Sequence, residues 1–314
     1  MKTERIVVGI DFSESSVAAA RWAAQCFPGA GLTLVHAVFV PQPPRFLRER
    51  LPAAELLVES ARTGAATRLA QLRSELSADR VETEIRVGPP AAELAAAARD
   101  RAADLLVVGK HGERGGKWRL GSTAERLVRC SPAPVLLAVG PADGAPARIL
   151  VAIDDSDVTS RVMSSAAALA KRFSARVTAL HVVSSAVLSH VLSMAAAGGE
   201  ELSPAQVQSE FRLDTDRWIQ GLVDAGVPRM DAESEVAFGH PAQEILAAAD
   251  RLRADLIVVG SRGAGGVRRA LLGSTVSQVI RDADCPVFVA LEPEDEIVPR
   301  LTAEDVAEEL VRMT

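Results

Sequence analysis

The chain has 314 residues, 48% hydrophobic and 24% charged, an ordinary globular balance with room for about two domains. Its formal net charge of −6, with Lys and Arg scattered and no aromatics interleaved among them, argues against nucleic acid or an anionic membrane as partner, because both select a basic face. Cys26, Cys130 and Cys285 are an odd, widely spaced set without a CxxC, which fits reduced thiols better than a disulfide framework or a zinc site.

Met1-Lys-Thr-Glu-Arg leads straight into the strand-like Ile6-Val-Val-Gly-Ile10. That run is too short for the apolar region of a signal peptide, and nothing approaches the ~20 apolar residues of a membrane span. The expected location is therefore the cytoplasm. Residues 5–10 read as a strand, 13–26 as a helix, 32–40 as the next strand and 53–76 as helical. A strand at 81–87, a helix at 91–101, a buried strand at 105–108, a helix at 124–129 and a last strand at 135–139 follow. Apolar runs without alternation belong to strands covered on both faces, and strand–helix alternation to βαβ units. Aromatics are 4% and Tyr is absent, so the cores must be aliphatic.

The second half retraces this order. Arg148–Ile153 matches Arg5–Ile10, Val177–Val183 matches Leu32–Val38, and Gly239-His-Pro241 matches Gly88-Pro-Pro90. The division is 1–140 and 147–291, joined by a linker at 141–146 and followed by an acidic tail at 292–314. Two insertions follow the second strands, at Pro41-Gln-Pro-Pro-Arg-Phe46 and at 184–206. The latter carries Val187, Leu188, Val191, Leu192 and Met194. Such a stripe reads as a helix packed on its own domain, or as a lid or subunit-facing surface. In the tail, Thr302 is placed as an N-cap, of a solvated helix or of a protein-contact segment.

Each half also carries a strand that runs into a glycine loop and a helix. One reads Leu105-Leu-Val-Val-Gly109-Lys-His-Gly112, then Gly121-Ser122-Thr123. The other reads Leu256-Ile-Val-Val-Gly260-Ser-Arg-Gly263, then Gly273-Ser274-Thr275. Strand ends of parallel sheets are where ligands bind. Glycine permits positive φ and close backbone approach, and free N–H groups at a helix start with adjacent hydroxyls make an anion seat. Arg262, Arg268 and Arg269 either neutralise phosphate there or belong to a solvated loop. Neither a P-loop nor a GxGxxG after the first strand is present; Gly116-Lys117-Trp118 lacks the metal-binding hydroxyl.

An Asp ends the first strand of each half, Asp11 and Asp154, with Ser13 and Ser156 two positions on. Each reads as an N-cap or Asx-turn carboxylate, or as a group that also bonds a ribose or base edge. His36 and His181 match at the ends of the second strands and read as packing or capping residues. Trp22 and Trp218 read as packing residues, whereas Trp118, inside the glycine loop, is the exception and reads as a group that shields or blocks that site. His111, His190 and His240 show no metal-ligand spacing.

Together, the strand–Asp–x–Ser opening, the second strand ending in His, the Gly-x-Pro before a helix and the Gly-x2-Gly-x9-Gly-Ser/Thr resemble the universal stress protein family over residues 1–291. The resemblance implies an α/β fold of two tandem five-stranded parallel-sheet domains, adenine nucleotide alpha hydrolase-like with Rossmann-like layers. It also implies an intramolecular pseudo-dimer, for which the apolar last strands, 135–139 and 286–291, are candidate contacts; association of two chains and other protein partners stay open. In ATP-binding members the nucleotide crosses the crevice between the first and fourth strands. Carried over, the C-terminal half would use Asp154, Val182, Gly260, Gly263, Gly273, Ser274 and Thr275. The N-terminal half would use Asp11, Ala37, Gly109, Gly112, Gly121, Ser122 and Thr123. There the pattern departs: eight residues instead of nine separate Gly112 from Gly121, and Ala37 replaces Val. The implied ligand is ATP, with or without Mg²⁺, in a regulatory module rather than an enzyme. A slow Mg²⁺-dependent ATPase and a nucleotide-independent scaffold are the alternatives.

Overall fold

A computed structural model describes residues 3–40, 54–112, 120–140, 144–156, 158–199, 202–228, 230, 232–261 and 272–291. They divide into two compact units, Thr3–Gly144 and Ala145–Leu291. The N-terminal unit runs β1 (Arg5–Gly9), α1 (Glu14–Cys26), β2 (Gly31–Val38), α2 (Ala54–Glu75), β3 (Arg80–Val87), α3 (Pro90–Asp100), β4 (Leu105–Gly109), α4 (Ser122–Cys130) and β5 (Val135–Ala138). Its strands are parallel, in the order β3-β2-β1-β4-β5.

The C-terminal unit runs β6 (Arg148–Ile153), α5 (Thr159–Phe173), β7 (Arg176–Val183), α6 (Ser185–Ala197), α7 (Pro204–Asp224), β8 (Ala232–Phe238), α8 (Pro241–Leu252), β9 (Leu256–Gly260), α9 (Ser274–Asp282) and β10 (Val287–Ala290). Its sheet, also parallel, has the matching order β10-β9-β6-β7-β8. Each unit is thus the five-stranded parallel α/β sheet that the sequence implied.

The unalternating strands owe their character to helices on both faces. All four residues of β5 and of β10 are buried, as are the first four of β4 and of β9. Contact is close: a Cβ on Gly9 would lie 2.8 Å from Leu94 of α3. By contrast β3, paired on one side within its unit, buries one residue of eight. In each unit the first strand pairs with the second on one side and the fourth on the other. Chain order reverses there, so the crossovers diverge and leave a crevice at the strand C-termini.

The opposite edge is clamped. Asp104 accepts hydrogen bonds from the backbone of Glu4 and Arg5, both at 2.9 Å. Asp255 repeats this with Ala147 and Arg148 at 3.0 and 2.9 Å, and holds the Arg148 guanidinium at 2.9 Å where Arg5 stands 3.7 Å from Asp104. Partial burial pushes the Asp255 carboxyl up, but the Arg148 guanidinium and the two backbone donors outweigh it and hold it below its ordinary value.

The second insertion forms a helix on its own unit, in line with one of the two readings of its apolar stripe. That helix, α6, contains no buried residue. It rests on α7 rather than in the core. The 41–46 insertion and the acidic tail lie outside the described residues.

Candidate functional site

In the N-terminal unit, β1 delivers Asp11 to the crevice. Its Oδ1 accepts from the backbone N–H of Ser13 at 2.9 Å and from the Ser13 hydroxyl at 2.5 Å. Ser13 in turn caps α1, accepting from Ser16 N at 3.2 Å. The Asx-turn reading therefore holds for one carboxylate oxygen. The other, Oδ2, faces the glycine loop: a Cβ on Gly112 would lie 3.3 Å from it. Asp11 and Gly112, far apart in sequence, are thus brought together.

Gly109 serves a different purpose. A Cβ there would meet Ser15 Oγ at 2.6 Å and Ser16 N at 2.8 Å, so α1 occupies the space. The loop is pinned at its base. Lys110 N donates to Ala138 O at 3.0 Å, Gly121 N donates to Lys110 O at 2.9 Å, and His111 N donates to Ser15 Oγ at 3.3 Å. Gly121 then caps α4 with φ −65° and ψ 137° and no side-chain capping bond. Ser122 and Thr123 open that helix, the first exposed and the second half-buried. Uncapped first-turn N–H groups beside hydroxyls are an anion seat.

The C-terminal unit repeats the parts. Asp154 Oδ1 accepts from Ser156 N at 3.2 Å and from the Ser156 hydroxyl. Gly260 ends β9 opposite Ala290, Ser261 N donates to Ala290 O at 3.1 Å, and Gly273 N donates to Ser261 O at 3.3 Å. Gly273 caps α9 at φ −59° and ψ 143°, again with no side-chain bond, and Ser274 and Thr275 follow. Val182 sits one residue beyond His181, which is the β7 partner of Ile153. Gly263, Arg262, Arg268 and Arg269 lie outside the described residues, as do Gly116, Lys117 and Trp118. The expectation that these glycines use positive φ is corrected at Gly121 and Gly273. Both are extended caps that any residue can adopt, and what glycine supplies there is the missing side chain.

The matched histidines part company. His36 Nδ1 lies 2.7 Å from Ile10 O and donates to it, bracing the strand just before Asp11. Ala37 follows it in β2, half-buried. His181 Nδ1 instead lies 3.2 Å from Thr215 Oγ1 on α7. Thr215 gives its own proton to Phe211 O at 2.8 Å, so His181 Nδ1–H is the donor and Nε2 keeps its lone pair. Burial lowers the His181 pKa, opposed by the charges of Asp155 and Asp154. Trp218 stands beside its ring at 5.8 Å.

Several residues at the crevice escape a reading based on spacing. Ser16 and Thr159, both buried, accept from the N–H of Asp11 at 3.3 Å and of Asp154 at 3.4 Å. The shared Asp-x-Ser-x-x-Ser/Thr is the signal that would have found them. Lys110 is only 3% exposed, where the C-terminal unit has Ser261. Phe12 sits at φ 66° between the His36 ring, 4.7 Å away, and the Arg68 guanidinium, 3.9 Å away. Among the described residues no group of three or more His, Cys, Asp or Glu is placed to hold a metal, and no helix is long and apolar enough to cross a membrane. Two cavities of about 520 and 310 Å³ in the C-terminal unit lie elsewhere, between α7 and β8 and at the C-terminal ends of α8 and α9.

Residues 2–138 and 147–290 each match the profile of the universal stress protein family. The chain belongs to that family. A universal stress protein of Mycolicibacterium smegmatis is 30% identical over 299 residues, 90% of this chain and 96% of its own. One from Mycobacterium tuberculosis is 31% identical over 304 residues, 91% and 96% of the two chains. These full-length relatives share the tandem arrangement's length. A shorter relative from Methanocaldococcus jannaschii is 34% identical over 149 residues, 48% of this chain and 84% of its own. Among solved structures, a universal stress protein from Archaeoglobus fulgidus superposes with a TM-score of 0.63 at 21% identity, covering 94% of this chain and 98% of its own. That likeness speaks for the fold.

Proposed function

We propose that the C-terminal crevice binds an adenine nucleotide, ATP foremost, and that occupancy rather than turnover is the signal this universal stress protein delivers. The observation that carries the reading is that each unit has a strand-end Asp and a helix N-terminus left without a side-chain cap behind glycine, brought together through Gly112 in the N-terminal unit. In the N-terminal unit a Cβ on Gly112 would fill the space beside Asp11 Oδ2, so the residues fit a ligand at that point. Asp154 and the Val182 segment would hold the nucleoside, and Gly273, Ser274 and Thr275 the phosphates. Asp11, Ala37, Gly112, Gly121, Ser122 and Thr123 would do the same work less well, behind a loop one residue shorter. A bound nucleotide would supply a polyanion whose presence favours one conformation or partner. Any Mg²⁺ would arrive on the phosphates, which is its usual way of binding.

Binding is favoured over catalysis on chemical grounds. Fast phosphoryl transfer needs a fixed metal and a group that orients the attacking atom, whereas Asp154 Oδ1 is already committed to its own turn. A seat of amides alone supports slow hydrolysis at most. The deciding experiment is to denature freshly purified protein and identify and count released nucleotides, with calorimetric titration of ATP alongside. Asp154→Ala should weaken binding by about tenfold or more, the worth of a hydrogen bond to a charged group. Failure of both wild type and Asp11→Ala to bind millimolar ATP would remove the reading. Mg²⁺-dependent turnover abolished by Asp154→Ala would replace it with the ATPase.

A further inference from the structure

The two crevices differ at the residue that follows the strand-end Asp. In the C-terminal unit it is Asp155, a second carboxylate whose backbone is not left-handed. In the N-terminal unit it is Phe12, at φ 66°. Positive φ strains a bulky side chain, and such a conformation persists only where its surroundings hold it. Here they do. The Phe12 ring lies 4.7 Å from the His36 ring, and His36 is itself fixed by its 2.7 Å bond to Ile10 O. Phe12 also carries the guanidinium of Arg68, on α2, 3.9 Å from its ring centroid.

That guanidinium has its hydrogen-bonding capacity unspent. Among the described residues it makes no hydrogen bond or ion pair, with Asp11 or with any other carboxylate. Stacking uses the flat face of the group and leaves its N–H edge open. An arginine held in this way beside a crevice is suited to phosphate.

Its place decides which phosphate. The 5′ phosphates go to the start of α4, behind Gly121. Arg68 instead reaches the crevice through the neighbour of Asp11, on the nucleoside side. Dinucleotide folds use the same residue types there: an acid bonds a free ribose hydroxyl, and a nearby arginine accommodates a phosphate on it. In the C-terminal unit Asp155 takes the place of Phe12, and Asp155 and Asp154 both act on His181 as negative charges. A ribose phosphate would meet like charge there, which costs affinity.

We propose that the N-terminal crevice takes an adenine nucleotide phosphorylated on its ribose, at the 2′ or 3′ position, with Arg68 as the phosphate ligand. Asp155 restricts the C-terminal crevice to nucleotides with a free ribose. Both assignments rest on nucleotide binding at these crevices and name the ligand that separates them.

Calorimetric titration of the full chain carrying Asp154→Ala, which weakens the C-terminal site, reads the N-terminal one. The probes are ATP, AMP, adenosine 3′,5′-bisphosphate and adenosine 2′,5′-bisphosphate. At least one bisphosphate should bind about tenfold more tightly than AMP, the worth of a hydrogen bond to a charged group. Adding Arg68→Gln should bring it level with AMP. Arg68→Lys should restore only part of the preference, because an ammonium lacks the planar fork. Arg68 is exposed, and circular dichroism checks that the variants stay folded. In the converse chain, carrying Asp11→Ala, AMP should bind more tightly than either bisphosphate, and Asp155→Asn should narrow the gap. Where ATP binds, a bisphosphate affinity no greater than that of AMP would overturn the proposal and leave the nucleotide reading in place. So would a preference that survives Arg68→Gln. Absence of binding by all four probes would remove both.

Discussion

Gly109 and Gly121 bracket one loop, yet an added methyl group meets different surroundings at each. At Gly109 it would strike the backbone of Ser15 at 2.7 Å, and a helix start cannot yield as a side-chain tip can. Gly109→Ala should lower unfolding free energy by about 1–3 kcal/mol, the usual penalty of overpacking. At Gly121 the nearest atom would be Gly112 N at 3.5 Å, ordinary contact, so Gly121→Ala should cost only about 0.5–1 kcal/mol through the weaker cap. Urea unfolding of the two variants measures the difference. Spacing alone showed where glycine was required but gave one reason for all. Whether a ligand or α1 takes the room depends on a tertiary contact that no local pattern encodes. The same limit applies to Asp255, which looks like any strand-start acid until the fold brings two backbone donors and Arg148 to it. Its folded pKa is depressed, so its contribution is complete above the ordinary value of 3.8 and fades as pH falls through the lower folded value. Asp255→Asn should therefore cost about 1–2 kcal/mol at neutral pH and flatten the acid side of the stability–pH curve. Unfolding series at several pH values would show an unchanged slope if the clamp contributed nothing.

At the scale of elements, the strands were legible because burial on both faces leaves uninterrupted apolar runs, as in Leu105–Val108 and Leu256–Val259. The helices of the N-terminal half followed from Ala-rich runs between strands, whereas α7, opened by a full capping box of Ser203 and Gln206, went unread. At α6 apolar content did not fix the extent of burial: Leu188, Val191, Leu192 and Ala195 are half-buried, whereas Val187 and Met194 are exposed. Hydrophobicity states a preference for leaving water, and it does not say which surface, in which molecule, will satisfy it. The glycine loops offer a sharper test of element geometry. One missing residue can shift a chain by up to ~3.8 Å, far beyond hydrogen-bond tolerance. Adding one glycine beside Gly116, in an Asp154→Ala background, should strengthen ATP binding by the N-terminal unit. Calorimetric titration would show no gain if loop length were not the obstacle.

For the whole molecule, duplication was the most readable property. Two units repeat strand order, clamp and capped turn, because these arise from short-range patterns copied twice. Their divergence was less readable, since the His36 and His181 positions match in sequence but choose partners on different elements. Functional asymmetry should show in thermal unfolding. At a hundredfold excess over its dissociation constant, ATP should stabilise a unit that binds it by about 2.7 kcal/mol. In differential scanning calorimetry the transition of the C-terminal unit should rise, and Asp154→Ala should abolish that rise. A shift confined to the N-terminal unit would reverse the assignment.

The indole of Trp218, next to the His181 ring, gives the protein an intrinsic optical reporter. With no Tyr and three Trp in the chain, emission excited in the near ultraviolet is almost wholly indole light. Trp22 is shielded, only 2% exposed, in the other unit, whereas Trp218 lies one turn from Thr215 and one side chain from the strand that carries Val182. Quenching or a spectral shift on adding nucleotide, lost in Trp218→Phe, would let occupancy be followed in real time without any dye.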